Sequence, residues 1–469
     1  MSGYARAIRT QRVMPAARAV TLLTAGAIAL SSGPAWAQGR GGLPIIRDTE
    51  IEQLLRDYTA PLLKVAGLAP QNIQVVIIDQ KTFNAFVMDG RRIFVNAGAL
   101  FESTTPNQII GVLAHESGHI AGGHLSKMRQ EIANASTQMI LATILGVGAM
   151  VAASAGGVQG AGNIGMAALS APQEIIKRSL LSYVRAQEEQ ADKAAVKFLT
   201  ATGQSPKGMY ETFRRFADQT MFSARYADPY AQTHPMPADR VRALEELTKN
   251  SPYWDKTDPA ELQARHDMMR AKLAGFLEQS DTVARRYPLS DTSLPARYAR
   301  AISTYRYSDV RAAVAQIDGL IKTQPNNPYF HELKGQALME SGKGAEAIAP
   351  LRHAVTLAPN ARLIRAMLAQ ALVSTNNVAH ADEAIAILRD VLVHEKDLVN
   401  GYRHLATAYG RKGDLAQADL ASAQASFATG DFKTARELAA RAKTRLPTGS
   451  PGWVKADDIA TFRPRPISN

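Results

Sequence analysis

Over residues 46–72 the apolar positions Ile51, Leu54, Leu55, Tyr58, Leu62 and Leu63 recur every three to four residues, the spacing that lines one face of a helix. The pattern then changes period. Ile73-Gln74-Val75-Val76-Ile77-Ile78 reads as a strand, and Phe83–Val87 with Ile93–Asn96 reads as a hairpin turning at Asp89-Gly90. Ile109-Ile110-Gly111-Val112-Leu113-Ala114 is continuously apolar, which predicts a helix buried on most of its circumference. Between Ile132 and Glu174 no residue is charged, and Met139–Val151 is apolar before a Gly- and Ala-rich stretch to Gly165.

Past about residue 280 the pattern becomes repetitive. Pro325 and Pro359 are 34 residues apart, the period of tetratricopeptide helix pairs. Between them lie Tyr329, Leu333 and Ala337, the turn Ser341-Gly342-Lys343, and Ala345, Ile348 and Ala354. Related segments follow at Leu368–Leu372 with Ala384-Ile385, at Leu405–Tyr409 with Gly413, and at Gly430-Asp431-Phe432 with Ala435. Units of this kind stack into a superhelix with a concave face for partners. Pro447, Pro451, Pro464 and Pro466 mark the remainder as an irregular tail.

The first 37 residues change the picture of where the chain works. Arg6, Arg9, Arg12 and Arg18 precede the apolar run Ala19–Leu30, and Ala35-Trp36-Ala37 follows, as in a cleaved secretory signal with the cut before Gln38. The apolar run is too short to span a bilayer. No cysteine is present, which excludes a disulfide framework and a lipoprotein anchor. Secretion without disulfides fits the bacterial periplasm and a core large enough to need no staples. The formal charge of +12 includes the four leader arginines, leaving about +8, and no nucleic-acid recognition motif accompanies it. That surplus fits peripheral contact with anionic lipid and gives no ground for nucleic-acid binding.

The candidate chemistry lies at His115-Glu116-Ser117-Gly118-His119, directly after the apolar run. Positions i and i+4 share a helix face, so both imidazoles can reach one metal ion, while Glu116 sits beside them to take a proton from water. Extending the motif to HExxHxxGxxH fits at Gly122 and fails at Leu125. His124, about 140° round an unbroken helix from His119, reads as a polar contact at the helix end. The third ligand is sought downstream. In Arg185–Ala195, Glu188 and Asp192 are again four apart, so Glu188 can bind the metal while Asp192 accepts the free ring N–H of a ligand histidine.

HExxH followed by ExxxD resembles the gluzincins. The apolar lead into the motif, Arg185-x-x-Glu188-x-x-Ala191-Asp192 and Thr233-His234-Pro235-x-x-x-x-Arg240 resemble the zinc peptidases that include the bacterial heat-shock protease and the CAAX prenyl endopeptidase. A periplasmic leader and C-terminal repeats narrow the likeness to members acting in outer-membrane β-barrel assembly. The resemblance implies one Zn²⁺ per chain, peptide or protein substrates, and repeats that recruit clients or the outer-membrane protein assembly machinery. It also implies an active-site role for His234, either polarising the scissile carbonyl or occupying the metal's open position; the other reading is a loop histidine fixed by Pro235 and Pro237. Arg240 follows as a structural or carboxylate-anchoring partner.

Two readings of local structure bear on substrate. Asn84-Ala85-Phe86 matches the family's corresponding strand and is a candidate edge for holding an extended peptide, or else a plain structural hairpin. The uncharged segment 132–174 is a transmembrane helix weakened by its glycines, a buried core helix, or a mobile apolar flap that touches a membrane or covers the cleft. The flap is preferred, because the segment lies between His119 and Glu188 in the chain.

The expected fold is mostly α. A zincin-like metalloprotease domain of helices with a small β-sheet covers 38–280, and an α-solenoid of tetratricopeptide repeats covers 281–446. The signal peptide precedes them and the irregular tail 447–469 follows. The expected function is a periplasmic zinc metalloendopeptidase. The alternative is a periplasmic chaperone or scaffold with a vestigial or closed metal site.

Overall fold

The computed structural model describes residues 44–131, 183–222, 234–375 and 377–464. The leader, the uncharged segment 132–174 and Thr233 lie outside the described residues. None of the described helices is long and apolar enough to cross a membrane.

The first helix, α1, runs Thr49–Val65 and is shorter than the apolar stripe implied. Asp48 starts it by accepting from Ile51 N at 2.9 Å, and Gly67 ends it in the left-handed region at φ +72. All six residues of the expected stripe are buried. Four strands, β1 (Ile45–Ile46), β2 (Gln74–Ile78), β3 (Ala85–Val87) and β4 (Arg92–Asn96), make one sheet in the order β1-β2-β4-β3. β2 and β4 are parallel and β3 returns antiparallel to β4, placing the expected hairpin at a sheet edge.

Helix α2 (Ala97–Glu102) leads to α3 (Pro106–Ala121), which carries the HExxH motif. Every residue of α3 from Ile109 to Gly118 is buried. Its flanks are α1 residues Ile51, Leu55 and Tyr58, and Leu199, Phe213 and Phe216 from the two helices that follow, α4 (residues 183–201) and α5 (Lys207–Phe222). The Asn107 side chain fastens the start of α3 to α5, donating to Ser205 O and accepting from Gly208 N, both at 2.6 Å. Helix α6 (Ala238–Lys249) closes this part.

Helices α7 (Ala260–Leu277), α8 (Ser280–Arg286) and α9 (Leu294–Tyr307) lead into a helical repeat region: α10 (Val310–Thr323), α11 (Pro328–Glu340), α12 (Gly344–Leu357), α13 (Arg362–Ser374), α14 (Val378–His394), α15 (Val399–Arg411), α16 (Leu415–Thr429) and α17 (Phe432–Arg445). Each packs on its neighbour in the chain, and α11, α13 and α15 also touch in series. The turn residues Gly342, Gly413 and Gly430 have φ of +81, +75 and +85, conformations that side chains with a Cβ disfavour.

The expectation of an irregular tail after residue 447 is corrected. Pro451–Thr461 forms a further helix, α18. Ser450 Oγ accepts from Trp453 N, Pro451 occupies the first helical position, and Ala456 is buried against Leu420, Ala442 and Leu446. Proline read as a breaker is here a helix start, where its missing N–H costs nothing.

A buried charged joint ties the motif-bearing part to the repeats within one compact unit. Lys272 of α7 lies 2.7 Å from Asp48, 3.1 Å from Glu50 of α1 and 3.7 Å from Glu332 of α11. Tyr298 of α9 donates to Glu50 at 3.0 Å. Arg47 adds a 2.8 Å bond to Glu395, just past α14.

Candidate metal centre

The site forms where α3 and α4 approach without a side chain between them. A Cβ on Gly118 would sit 2.9 Å from the Ala191 carbonyl oxygen and 3.1 Å from its Cα, so glycine permits the closest approach. Substituting Gly118→Val is therefore expected to destabilise the protein by about 1–3 kcal/mol through overpacking, read as a lowered urea midpoint. An unchanged midpoint would show that α4 gives way freely.

That contact sets α4's acidic face against α3's histidine face. His115 Nε2 and His119 Nε2 are 3.0 Å apart, and each lies 3.4 Å from a Glu188 carboxylate oxygen. His234, just before α6, adds its Nδ1 at 3.4 Å from His115 Nε2 and 3.1 Å from Glu188 Oε2. Metal bonds of about 2.0–2.1 Å in a tetrahedron place ligand atoms about 3.3 Å apart. Three imidazole nitrogens and one carboxylate therefore have the chemistry and spacing to hold one metal ion, and all four ligand atoms fall within 4.8 Å of one another.

The next layer orders these groups. Arg240 of α6 binds Asp192 through Nε at 2.7 Å and Nη2 at 2.9 Å, and Glu188 through Nη1 at 2.8 Å. The same Nη1 donates to Pro235 O at 2.9 Å, holding the loop that carries His234. Asp192 Oδ1 is 3.0 Å from His115 Nδ1. Phe213 closes the floor, edge-on to His115 and beneath the Arg240 guanidinium.

Burial and charge act against each other here. Burial lowers the His115 imidazole's proton affinity, but Asp192 and Glu188 outweigh it and lift the ring to about 9. Burial raises both carboxyls of α4, yet His234 with His115 drives Glu188 far below its ordinary range, and Arg240 holds Asp192 down. Glu116 is the exception. Burial raises it, and neither of its carboxylate oxygens has a hydrogen-bond partner among the described residues.

A cleft of about 600 Å³ opens over this cluster, lined by Phe86, Val87, Glu116, His119, His124 and His234 among others. Of the expected strand residues, Phe86 reaches the cleft, Ala85 is buried in the core, and Asn84 is absent from the lining. His124 makes the polar contact expected of it at the helix end, and its partner is a histidine of the cluster. The helix breaks at Gly122-Gly123, with Gly123 at φ +62, and His124 folds back so that its Nδ1 is 3.0 Å from His119 Nδ1. The paired glycines were the available signal.

A buried HExxH helix, a facing carboxylate and an open cleft define a metallopeptidase. The family model of peptidase family M48 matches residues 47–248, and the chain carries a domain of that family. Over 88% of its length the chain is 24% identical to the beta-barrel assembly-enhancing protease of Yersinia pestis and 22% identical to that of Escherichia coli K12, covering 83% of each. It is also 29% identical to the metalloprotease LoiP of Escherichia coli K12 over 40% of this chain and 69% of that one. Proteins and peptides are its substrate class.

Proposed function

We propose that this chain is a periplasmic zinc endopeptidase in which His115, His119 and Glu188 hold the metal. The single observation that carries the reading is the tetrahedral spacing of those ligand atoms beside a buried Glu116 carboxylate that makes no hydrogen bond among the described residues. Zinc bound there supplies a Lewis acid and makes water acidic enough to lose a proton near neutral pH. Glu116 receives that proton at a carboxylate oxygen and hands it on to the leaving amine. Asp192 and Arg240 hold His115 and Glu188 in register.

His234 has two duties in this reading. Its Nδ1, 3.4 Å from His115 Nε2 and 3.1 Å from Glu188 Oε2, would take a ligand position on the metal, and its Nε2, 3.6 Å from Glu116 Oε1, would serve to polarise the scissile carbonyl. Among the described residues β3 pairs only with β4, and it borders the cleft, which supports its use as a template for an extended peptide.

The repeats act as tetratricopeptide modules that recruit clients or the outer-membrane assembly machinery, and the substrates are misassembled outer-membrane proteins. Support comes from the relatives' name and from the leader pattern. Metal analysis of the purified mature protein tests the centre: one zinc per chain is expected, lost in His119→Ala. Absence of zinc, or equal zinc in the variant, refutes the assignment and leaves a chaperone or scaffold.

A further inference from the structure

We propose that His124 is a positioning residue for the metal centre, accepting a hydrogen bond from His119 Nδ1 and so fixing the tautomer that leaves His119 Nε2 free to bind. The inference rests on the zinc reading above and adds a residue outside the HExxH…ExxxD pattern. His119 turns Nε2 toward His115 and Glu188, so a metal-binding ring must carry its one proton on Nδ1. That atom faces His124 Nδ1 at 3.0 Å. A donor there needs an acceptor, which puts the His124 proton on Nε2.

The placement is built. His124 is 3% exposed although it follows a helix break. Gly122 leaves room for the ring: a Cβ there would overlap the His124 imidazole. Gly123 turns the backbone at φ +62. Gln187, one residue before the proposed ligand Glu188, donates to His124 O at 3.1 Å. The two ligand histidines are thus backed differently, His115 by the Asp192 carboxylate and His119 by a neutral imidazole. Partners behind a ligand histidine commonly change metal affinity by about 10–100-fold.

The test is zinc affinity of the full-length protein by chelator competition, compared across wild type, His124→Leu and His124→Asn. Asparagine places a polar atom near the position of Nδ1; leucine fills the space without one. The expected result is about 10–100-fold weaker binding for leucine and recovery to within a fewfold of wild type for asparagine. Wild-type affinity in the leucine variant, or equal losses in both, would assign His124 to packing alone. If wild type and His119→Ala bind zinc alike, the zinc reading itself fails, and the inference with it. Should both variants misfold, NMR of isotope-labelled imidazoles in the wild-type zinc protein decides: the proposal requires Nε2–H on His124, and Nδ1–H overturns it.

Discussion

Glu116→Gln is expected to lower kcat by roughly a hundred- to ten-thousandfold while zinc content stays at the wild-type value and thermal stability is equal or higher. The carboxylate is fully buried, yet neither oxygen is engaged in a hydrogen bond among the described residues. A buried, unsatisfied carboxylate costs stability, so its presence calls for a use. It borders the cleft beside the ligand cluster without belonging to it. Glutamine keeps the shape and relieves the buried charge, but it cannot accept the proton of water. Turnover within tenfold of wild type, at full zinc occupancy, would move the function to the scaffold reading.

The parts of this molecule that were legible in the sequence are those coded by local periodicity. The α1 stripe repeats a spacing that only a helix satisfies, the β3–β4 hairpin is marked by its Asp89-Gly90 turn, and the apolar run ahead of His115 leads into a histidine pair whose i, i+4 spacing shares one helix face. Glu188 and Asp192 were legible because their spacing mirrors that of His115 and His119. The rest depends on chain reversals that spacing does not encode. His124 sits at a wrong angle on an ideal helix and becomes a neighbour of His119 only through the Gly122-Gly123 break. Pro451 looks like an ending until Ser450 caps the helix it begins. Asp48, Glu50, Lys272 and Glu332 each pass for a solvated surface charge, since three distant segments must meet before any is buried.

That joint carries the largest expected stability effect. Lys272→Met should cost about 3–5 kcal/mol, seen as a lowered urea midpoint, because it strips the cation from three buried carboxylates. Lys272 is 3% exposed, and burial opposes its charge while Asp48, Glu50 and Glu332 raise its proton affinity well above the ordinary value. One lysine does not satisfy them all. Glu332 Oε2, 3.7 Å from the ammonium, makes no hydrogen bond among the described residues, and burial pushes its carboxyl from 4.5 up to about 8. The folded protein thus holds a proton there that the unfolded chain has already released above pH 4.5. Stability from this group is complete below that pH and falls as pH rises toward about 8. Glu332→Gln should flatten this decline and leave the protein more stable than wild type at mildly alkaline pH, the opposite sign to Lys272→Met. Urea midpoints at about pH 5 and about pH 8 for both variants measure it. A Glu332→Gln protein with the same pH slope as wild type would show that the joint hydrates and that its charges carry no coupling between the peptidase and its repeats.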